Sequence, residues 1–213
     1  MARVSLSTAI RELAGQDVVL ANLVTLVGPV KHRPPDPHGH FGSLVRAIVF
    51  QQLAGVAANA IHHRVLAAVG GELTPETLVV TPDEALRAAG LSAAKVASLR
   101  DLAGKVLAGE VVLGGRTRRS DEEIITGLTT VRGVGRWTAE MYLMFELRRL
   151  DVWPVDDLGV RQGYGLAWGL DPAPRPKELV ALGERYRPYR SVVARYCWEA
   201  VALYRGGTDP SLR

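Results

Sequence analysis

Apolar residues recur at every third or fourth position in most segments of this sequence, a spacing that places them on one face of an α-helix. The segment from Phe41 to Val49 is a clear example, because its apolar residues stand at 41, 44, 45, 48 and 49. Alternation of apolar and polar residues, the pattern of a half-buried strand, never extends beyond a few positions. The sequence therefore predicts an all-α fold.

Short polar residues just before the helical segments predict where several helices begin. Asp17 is expected to cap a helix that Gly28-Pro29 ends, and Ser92 is expected to cap another. Thr81–Glu84 and Ser120–Glu123 have the pattern of capping boxes, the first with a proline at the first helical position.

Charge and residue usage favour some classes of protein and exclude others. An apolar fraction of 47% excludes a disordered chain, and a net charge of +4 mildly favours a polyanionic partner. The only cysteine, Cys197, is expected to be buried, and one thiol cannot form a disulfide, a cysteine-based zinc site or an iron–sulfur cluster. The histidines lie in a proline-rich stretch or on one helix without a matching carboxylate, so we expect no catalytic metal. No segment is long and uncharged enough to span a bilayer, and we expect a soluble, intracellular (cytoplasmic) protein.

Residues 128–139 (LTTVRGVGRWTA) carry the most specific pattern in the chain, two glycines around one apolar residue between two helical segments. Such glycines allow a tight turn that exposes consecutive amides, and the second helix points its N-terminus at the same place. This hairpin can bind a phosphate without reading a base, while Val134 is expected to lie in the groove between the two helices. The alternative is an ordinary helix–helix turn, but Arg132 and Arg136 on either side favour the phosphate site.

Residues 131–139 (VRGVGRWTA), followed after a helix by 155–158 (VDDL), resemble the helix-hairpin-helix (HhH-GPD) DNA glycosylase superfamily, and in particular its AlkA-like 3-methyladenine DNA glycosylase II branch. Further matches are 47–53 (AIVFQQL), 90–95 (GLSAAK), 189–191 (YRS) and Trp198. The match extends from about Phe41 to Tyr204, and no extra N-terminal β domain of the kind found in some relatives is expected.

The resemblance implies two helical lobes with a DNA- and base-binding cleft between them. The stretch 33–40 (RPPDPHGH) cannot be regular structure and is expected to be a linker at the first boundary. Residues 41–153 would form the lobe with the hairpin, and residues 1–40 with 154–213 would form the other. Trp137 and Asp157 are then expected to face each other across the cleft.

The resemblance also assigns roles to the hairpin. The residues implied to bind DNA phosphates are Gly133, Val134, Gly135, Arg136 and Thr138. A structural monovalent cation, Na⁺ or K⁺, is implied at the backbone of Val131 and Val134, with no other cofactor.

Asp157 matches the catalytic carboxylate of the family. By itself it has the position of a helix N-cap, and a carboxylate held by backbone amides can serve both purposes. Departure of a base leaves an oxocarbenium-like sugar, whose positive charge a fixed carboxylate stabilises. Asp156 is the alternative.

Trp137 stands where strand-cleaving relatives carry a lysine that forms a Schiff base with the sugar. Water is therefore expected to be the nucleophile, and an abasic site the product. Trp137, Trp198 and Tyr189 match aromatic positions of the base pocket, where cation–π attraction to an alkylated purine contributes about 0.5–2 kcal/mol per contact. The alternative for Trp198 is a helix that buries its aromatic residues.

Gln52 matches the residue that fills the duplex when the damaged nucleotide is flipped out. The alternative, that Gln51 and Gln52 only cap a helix end, is favoured for Gln51. Arg116, Arg118 and Arg119 lie in a loop that could contact phosphates, although an ordinary solvated loop has the same composition.

Three functions fit this sequence. The first is a monomeric, monofunctional glycosylase that acts on double-stranded DNA, is associated with the nucleoid through that binding, and excises alkylated bases such as 3-methyladenine in base excision repair. The second is a bifunctional glycosylase and abasic-site lyase, which Trp137 disfavours. The third is a non-enzymatic helix-hairpin-helix module, which the Asp157 motif disfavours.

Overall fold

The computed structural model describes residues 4–114 and 119–205. All regular secondary structure in this part of the chain is helical, with no strand, which confirms the predicted all-α class. In chain order the helices are α1 (Leu6–Gln16), α2 (Val18–Val27), α3 (Gly39–Phe50), α4 (Gly55–Ala68), α5 (Pro75–Val80), α6 (Asp83–Ala88), α7 (Ala93–Leu107), α8 (Asp121–Thr129), α9 (Arg136–Met141), a π-helical turn (Tyr142–Glu146), α10 (Leu158–Trp168), α11 (Pro176–Gly183), a 3₁₀ turn (Glu184–Tyr186) and α12 (Arg190–Arg205).

The chain forms two compact units, one made of Pro34–Leu147 and the other of Met1–Arg33 with Arg148–Arg213. These bounds differ from the expected lobes at 34–40 and 148–153. The first difference arises because Asp36 accepts hydrogen bonds from the amides of His38 and Gly39 and so belongs to the start of α3. The second arises because 150–152 bind the start of α12, where the amide of Ser191 donates to the carbonyl of Leu150 at 2.9 Å.

Most of the predicted helix starts are confirmed. The carboxylate of Asp17 accepts the amides of Val19 and Leu20, and the hydroxyl of Ser92 accepts that of Lys95. Ser120 and Glu123 form the reciprocal hydrogen bonds of a capping box at the start of α8.

The predicted capping box at Thr81 is wrong. Thr81 ends the preceding helix α5, and its hydroxyl donates to the carbonyl of Thr77 at 2.7 Å, so it is turned away from α6. Helix α5, which the sequence analysis did not predict, has its own capping box, formed by Thr74 and Thr77. Helix α6 lies between Pro82 and Gly90, as the sequence predicted, and α5 is an additional short helix before it.

In the unit of residues 34–147, α7 packs on both α3 and α5 and forms the centre of the helical core. Four of its apolar side chains are almost fully buried: Val96, Leu99, Leu102 and Ala103. Polar side chains of α7 emerge beside the turn after α3 and beside the hairpin between α8 and α9.

In the other unit, α10 packs lengthwise on α12 at very short range. A Cβ atom on Gly163 would lie 1.8 Å from the backbone carbonyl oxygen of Cys197, so only glycine allows the two backbones to approach this closely. Cys197 is fully buried in this contact, as expected. The contact fixes the start of α10, where Asp157 stands.

The other end of α10 is attached to the junction of α1 and α2 through the buried carboxylate of Asp17. This carboxylate accepts hydrogen bonds from the Trp168 indole at 3.1 Å and the Tyr186 hydroxyl at 2.8 Å, and it pairs with Arg185. Burial alone would raise the pKa of Asp17, but these hydrogen bonds and those from the backbone amides outweigh it, and the pKa is lowered.

No helix in the described ranges combines the length and the apolar character that crossing a membrane requires.

We predict that Gly163→Ala lowers the free energy of unfolding by about 3 kcal/mol, which is the upper end of the usual cost of overpacking a core. The cost is high because the new methyl group would meet backbone atoms, which cannot move aside as a flexible side chain can. Gly15→Ala is the matched control in the same unit, since a Cβ there would meet nothing within 4 Å. It should stabilise α1 by up to about 1 kcal/mol. Urea unfolding of the two variants measures both values, and equal stability of the two would contradict the α10–α12 packing described.

Candidate functional site

Asp157 lies at the N-terminus of α10 with an extended backbone (φ −68°, ψ 120°) and caps that helix. Its Oδ1 accepts the amide of Val160 at 2.7 Å and the indole Nε1–H of Trp198 at 2.9 Å. Only 9% of its surface is exposed. The neighbouring Asp156 is exposed, so the structure separates the two carboxylates that the sequence left as alternatives.

Trp198 reaches Asp157 because Gly159 leaves room for its ring. A Cβ on Gly159 would lie 2.8 Å from Cδ1 of Trp198 and 3.2 Å from Oδ1 of Asp157. Gly159 and Gly163 are functional residues that were not predicted from the sequence, although the four-residue spacing of two glycines on one helix is a visible signal of close helix packing. The carboxylate also acts on Cys197, whose thiol pKa is raised by burial and further by the charge of Asp157.

Trp198 and Tyr189 were both expected in the base pocket. Trp198 is only 7% exposed, and its N–H is directed at the carboxylate, so in this structure it holds Asp157 in place. The hydroxyl of Tyr189 donates to Glu12 on α1, which raises the Tyr189 pKa.

The hairpin spans Val131–Gly135 between α8 and α9. Gly133 has a positive φ of 76°, and the amide of Val134 donates to the carbonyl of Val131 at 3.0 Å. Val134 is 4% exposed, which confirms that it is buried. Helix α9 has no side-chain cap, so its first amides, at Arg136–Thr138, are not used by an N-cap side chain.

The two glycines of the hairpin differ in what a side chain at their position would contact. A Cβ on Gly133 would lie 2.7 Å from the hydroxyl of Ser98, and its positive φ also disfavours other residues. A Cβ on Gly135 would meet nothing within 4 Å, and its φ of −90° suits any residue. Packing and the positive φ therefore explain Gly133, whereas no contact within the described residues requires a glycine at position 135, and its role at a phosphate stays a prediction.

In this structure the Arg136 side chain forms ion pairs and the Thr138 side chain is buried, while their roles at a phosphate stay predictions. The Arg136 guanidinium forms two hydrogen bonds of 2.9 Å with Glu122 on α8 and a third, of 3.1 Å, with Glu140 on α9. Hydrogen bonding to Glu122 is the main cause of its raised pKa. Thr138 is 5% exposed. The Arg136 side chain therefore fastens the two helices of the hairpin to each other.

Gln52 lies in a tight turn of residues Phe50–Leu53, which we call the wedge turn. Gln51 has φ −53° and ψ 130°, Gln52 has φ 58°, and the amide of Leu53 donates to the carbonyl of Phe50 at 3.3 Å, as in a type II β-turn. A positive φ at a residue other than glycine costs free energy and is enriched at functional sites. Both Gln52 and Leu53 are exposed.

Gln51 has a contact that the sequence analysis did not foresee. Its Nε2 donates to the carbonyl of Gly133 at 2.9 Å, so the side chain connects the wedge turn to the hairpin. In the sequence, Gln51 is marked only by its place in the family match of residues 47–53. Its partner Gly133 is 82 positions away, and their contact depends on the packing of α3 against α7.

Trp137 lies in the first turn of α9 and is 47% exposed, which is unusual for so large an apolar ring. Its expected position across a cleft from Asp157 stays a prediction.

Within residues 4–114 and 119–205, no group of three or more His, Cys, Asp or Glu side chains is placed to hold a metal ion. At the hairpin, the Val131 carbonyl uses one lone pair for the amide of Val134 and keeps a second, so it fits a monovalent cation as a hard oxygen donor. Arg116 and Arg118 lie outside the described residues, and Arg119 donates to the carbonyl of Val112.

The family model described as "HhH-GPD superfamily base excision DNA repair protein" matches residues 45–188 of this chain. This chain belongs to the HhH-GPD superfamily of base excision DNA repair proteins. The match contains the wedge turn, the hairpin and Asp157, and it confirms the resemblance inferred from the sequence.

Individual members of the superfamily are similar over nearly the whole chain. DNA-3-methyladenine glycosylase 1 of Schizosaccharomyces pombe is 37% identical over 203 residues, which cover 93% of this chain and 89% of that protein. The crystal structure of a DNA-3-methyladenine glycosidase from Bacillus halodurans has a TM-score of 0.82 at 36% identity and covers 93% of this chain and 91% of its own. A 3-methyladenine DNA glycosylase of S. pombe in complex with abasic DNA has a TM-score of 0.78 at 35% identity, covering 94% and 99%.

For this HhH-GPD protein, we predict that Asp157→Ala lowers the free energy of unfolding by about 2–4 kcal/mol, from the lost helix cap and the unsatisfied Trp198 indole. Asp157→Asn should lose less than about 1 kcal/mol, because its amide oxygen can accept both hydrogen bonds. Thermal unfolding of the pair measures the difference. If the asparagine variant is as unstable as the alanine variant, the two hydrogen bonds do not hold the carboxylate as described.

We further predict that the hairpin glycines separate stability from DNA binding. Gly133→Ala should lower the free energy of unfolding by about 2 kcal/mol, because of its positive φ and the Ser98 hydroxyl. Gly135→Ala should change stability by less than about 1 kcal/mol but weaken duplex binding about tenfold and lower the salt-dependence slope by about 1, as for one lost phosphate contact. Titrations at several salt concentrations test this, and unchanged affinity of the Gly135 variant would contradict a phosphate site there.

Proposed function

We propose that this protein is a monofunctional DNA glycosylase that hydrolyses the N-glycosidic bond of alkylated, cationic bases such as 3-methyladenine in duplex DNA and leaves an abasic site. The observation that carries the proposal is the buried Asp157 carboxylate, which one backbone amide and one indole N–H hold in place. The names of the similar glycosylases support the substrate class.

The chemistry proposed for Asp157 is electrostatic. As the base departs, positive charge develops on the deoxyribose, and a carboxylate fixed in advance stabilises it without reorganising. An alkylated purine is itself cationic and leaves with little assistance, so the proposal requires no general acid. Water then attacks the sugar, and Asp157 is the group proposed to orient it.

The proposal of water as nucleophile is supported by where the lysines are. The position after the hairpin where a lyase carries its lysine is occupied by Trp137. The chain has four lysines. The ammonium groups of Lys95 and Lys105 bind backbone carbonyls, Lys31 is exposed in the stretch after α2, and Lys177 lies on the exposed surface of α11. A Schiff base with the sugar would require a lysine amine beside the Asp157 carboxylate, where the sugar is proposed to react.

Base recognition is proposed to rest mainly on Trp137. Its exposed indole is suited to stack on a cationic purine, and Tyr189 stays a candidate second wall of the pocket. Trp198 is proposed to act through Asp157 as a positioning residue, with its ring edge at the base.

The DNA contacts proposed are the amides of the hairpin at Gly133–Thr138 for a phosphate and Gln52 for the space that the flipped nucleotide leaves. Val131 and Val134 would hold a structural Na⁺ or K⁺, which supplies positive charge beside the phosphate. Duplex DNA with a damaged base is the proposed partner of a monomeric protein.

The decisive experiment is to incubate duplexes that contain one methylated purine with the protein and with its Asp157→Asn variant. The wild type should produce abasic sites that break only after alkali. The variant should bind DNA within about twofold of wild type but lose at least about a hundredfold in turnover, because it keeps the hydrogen bonds and lacks the charge.

Asp156→Asn is the matched control, because this exposed carboxylate is adjacent in sequence. It should retain full turnover. Strand breaks without alkali would favour the glycosylase/lyase, and the absence of abasic sites on every methylated purine would favour a binding module. Full turnover by Asp157→Asn would refute the role of the carboxylate.

A further inference from the structure

Helix α7 carries polar side chains at 95, 98, 101 and 105, a spacing that places them on one face of the helix. Lys95, Asp101 and Lys105 bind backbone groups in or directly before two separate loops, the wedge turn and the hairpin. The Ser98 hydroxyl donates to the Ala94 carbonyl within α7 and lies beside Gly133. Neither the family match nor the proposed chemistry assigns a role to this face.

At the first end of this face, Lys95 binds the end of α3. Its ammonium donates to the carbonyl of Val49 at 2.6 Å and to that of Gln51 at 2.9 Å. These carbonyls lie at the C-terminal end of a helix, where the backbone has no internal donors and the helix dipole favours a cation. Partial burial lowers the pKa of Lys95 from its ordinary value.

The Gln51 carbonyl belongs to the peptide that leads directly into Gln52. Lys95 therefore holds the peptide before the one residue of the wedge turn with a strained, left-handed backbone. Without the ammonium, that peptide would be free to rotate, and the Gln52 side chain would lose its fixed direction.

At the other end of this face, α7 binds the hairpin. Asp101 accepts the amide of Arg132 at 2.7 Å, and this hydrogen bond is the main cause of its lowered pKa. Lys105 pairs with Asp101 at 2.9 Å and also binds the carbonyl of Thr130. The hydroxyl of Ser98 lies directly against Gly133.

A direct hydrogen bond connects the two loops, because Gln51 donates to the Gly133 carbonyl at 2.9 Å. The wedge turn is thus bound to α7 and to the hairpin, and the hairpin is bound to α7. All three belong to one compact unit.

We propose that Lys95 is a positioning residue that holds the wedge turn in fixed register with the phosphate-binding hairpin, so that phosphate binding places Gln52 to enter the duplex. The proposal rests on the proposed function. Under this proposal, two steps differ in their need for Lys95. The hairpin binds the DNA backbone without Lys95, whereas extrusion of a paired nucleotide requires Lys95. Gln51 acts in the same way through its bond to Gly133.

The test compares Lys95→Met, which keeps the length of the side chain without the charge, with Lys177→Met on the exposed surface of α11. Each variant is given duplexes with one 7-methylguanine, either paired with cytosine or opposite an abasic-site analogue. In the paired duplex, 2-aminopurine beside the lesion reports loss of stacking by its fluorescence. Extrusion of an unpaired base is cheap, so the contrast between the two duplexes isolates the wedge step.

Lys95→Met should excise the paired base about tenfold more slowly, with a smaller fluorescence rise, but excise the unpaired base within about threefold of wild type, while duplex affinity changes little. Lys177→Met should match wild type on both. An equal loss on both duplexes, or no loss, would overturn the proposal.

Gln51→Met is the second variant, should Lys95→Met fail to fold, because the bond it removes is exposed. The same contrast between duplexes is expected at smaller size, and its absence also overturns the proposal. A wild type that releases no methylated base would refute the proposed function instead. The fluorescence comparison of wild type and variant would still decide the role of Lys95.

Discussion

The close approach of α10 and α12 is the constraint on which the candidate catalytic carboxylate depends. Gly163 lets the two backbones meet at Cys197, and one helical turn earlier Gly159 admits the Trp198 ring beside Asp157. The indole N–H and the Val160 amide then fix one carboxylate oxygen. The absence of a side chain at Gly159 and at Gly163 thus allows the Asp157 carboxylate to lie in a buried position. A carboxylate without hydrogen bonds would be costly in free energy there.

The DNA-binding elements proposed for the unit of residues 34–147, the wedge turn and the hairpin, are held by the polar face of helix α7. Helix α7 buries its apolar face in the core and uses its polar face to hold backbone groups of two loops at once. Backbone carbonyls and amides are present whatever the loop sequence, so the loops can leave side chains such as Gln52 exposed. The ion pairs of Arg136 with Glu122 and Glu140 stabilise the same hairpin from its other side.

Much of this arrangement could be predicted from local patterns. Caps at Asp17, Ser92 and Ser120 follow from the chemistry of a short acceptor beside free amides, and the structure confirms them. The Thr81 capping box was wrong because Thr81 ends α5 and its hydroxyl donates back to the carbonyl of Thr77, so it does not accept an amide of α6. The role of Arg136 could not be predicted, since its partner Glu122 is 14 residues away and becomes its neighbour only when the hairpin closes.

The sequence by itself determined the helical class, the hairpin and the family, because these depend on spacing and residue type within short stretches, and it proposed Asp157 with Asp156 as the alternative. Tertiary structure decided which of two adjacent aspartates is buried, that Trp198 donates to the carboxylate, and that Gln51 and Lys95 join the wedge turn to the hairpin. Those contacts join residues 41 to 82 positions apart, and hydrogen bonds at such separation exist only once helices pack. Local sequence patterns do not indicate which distant part of the chain a side chain will contact.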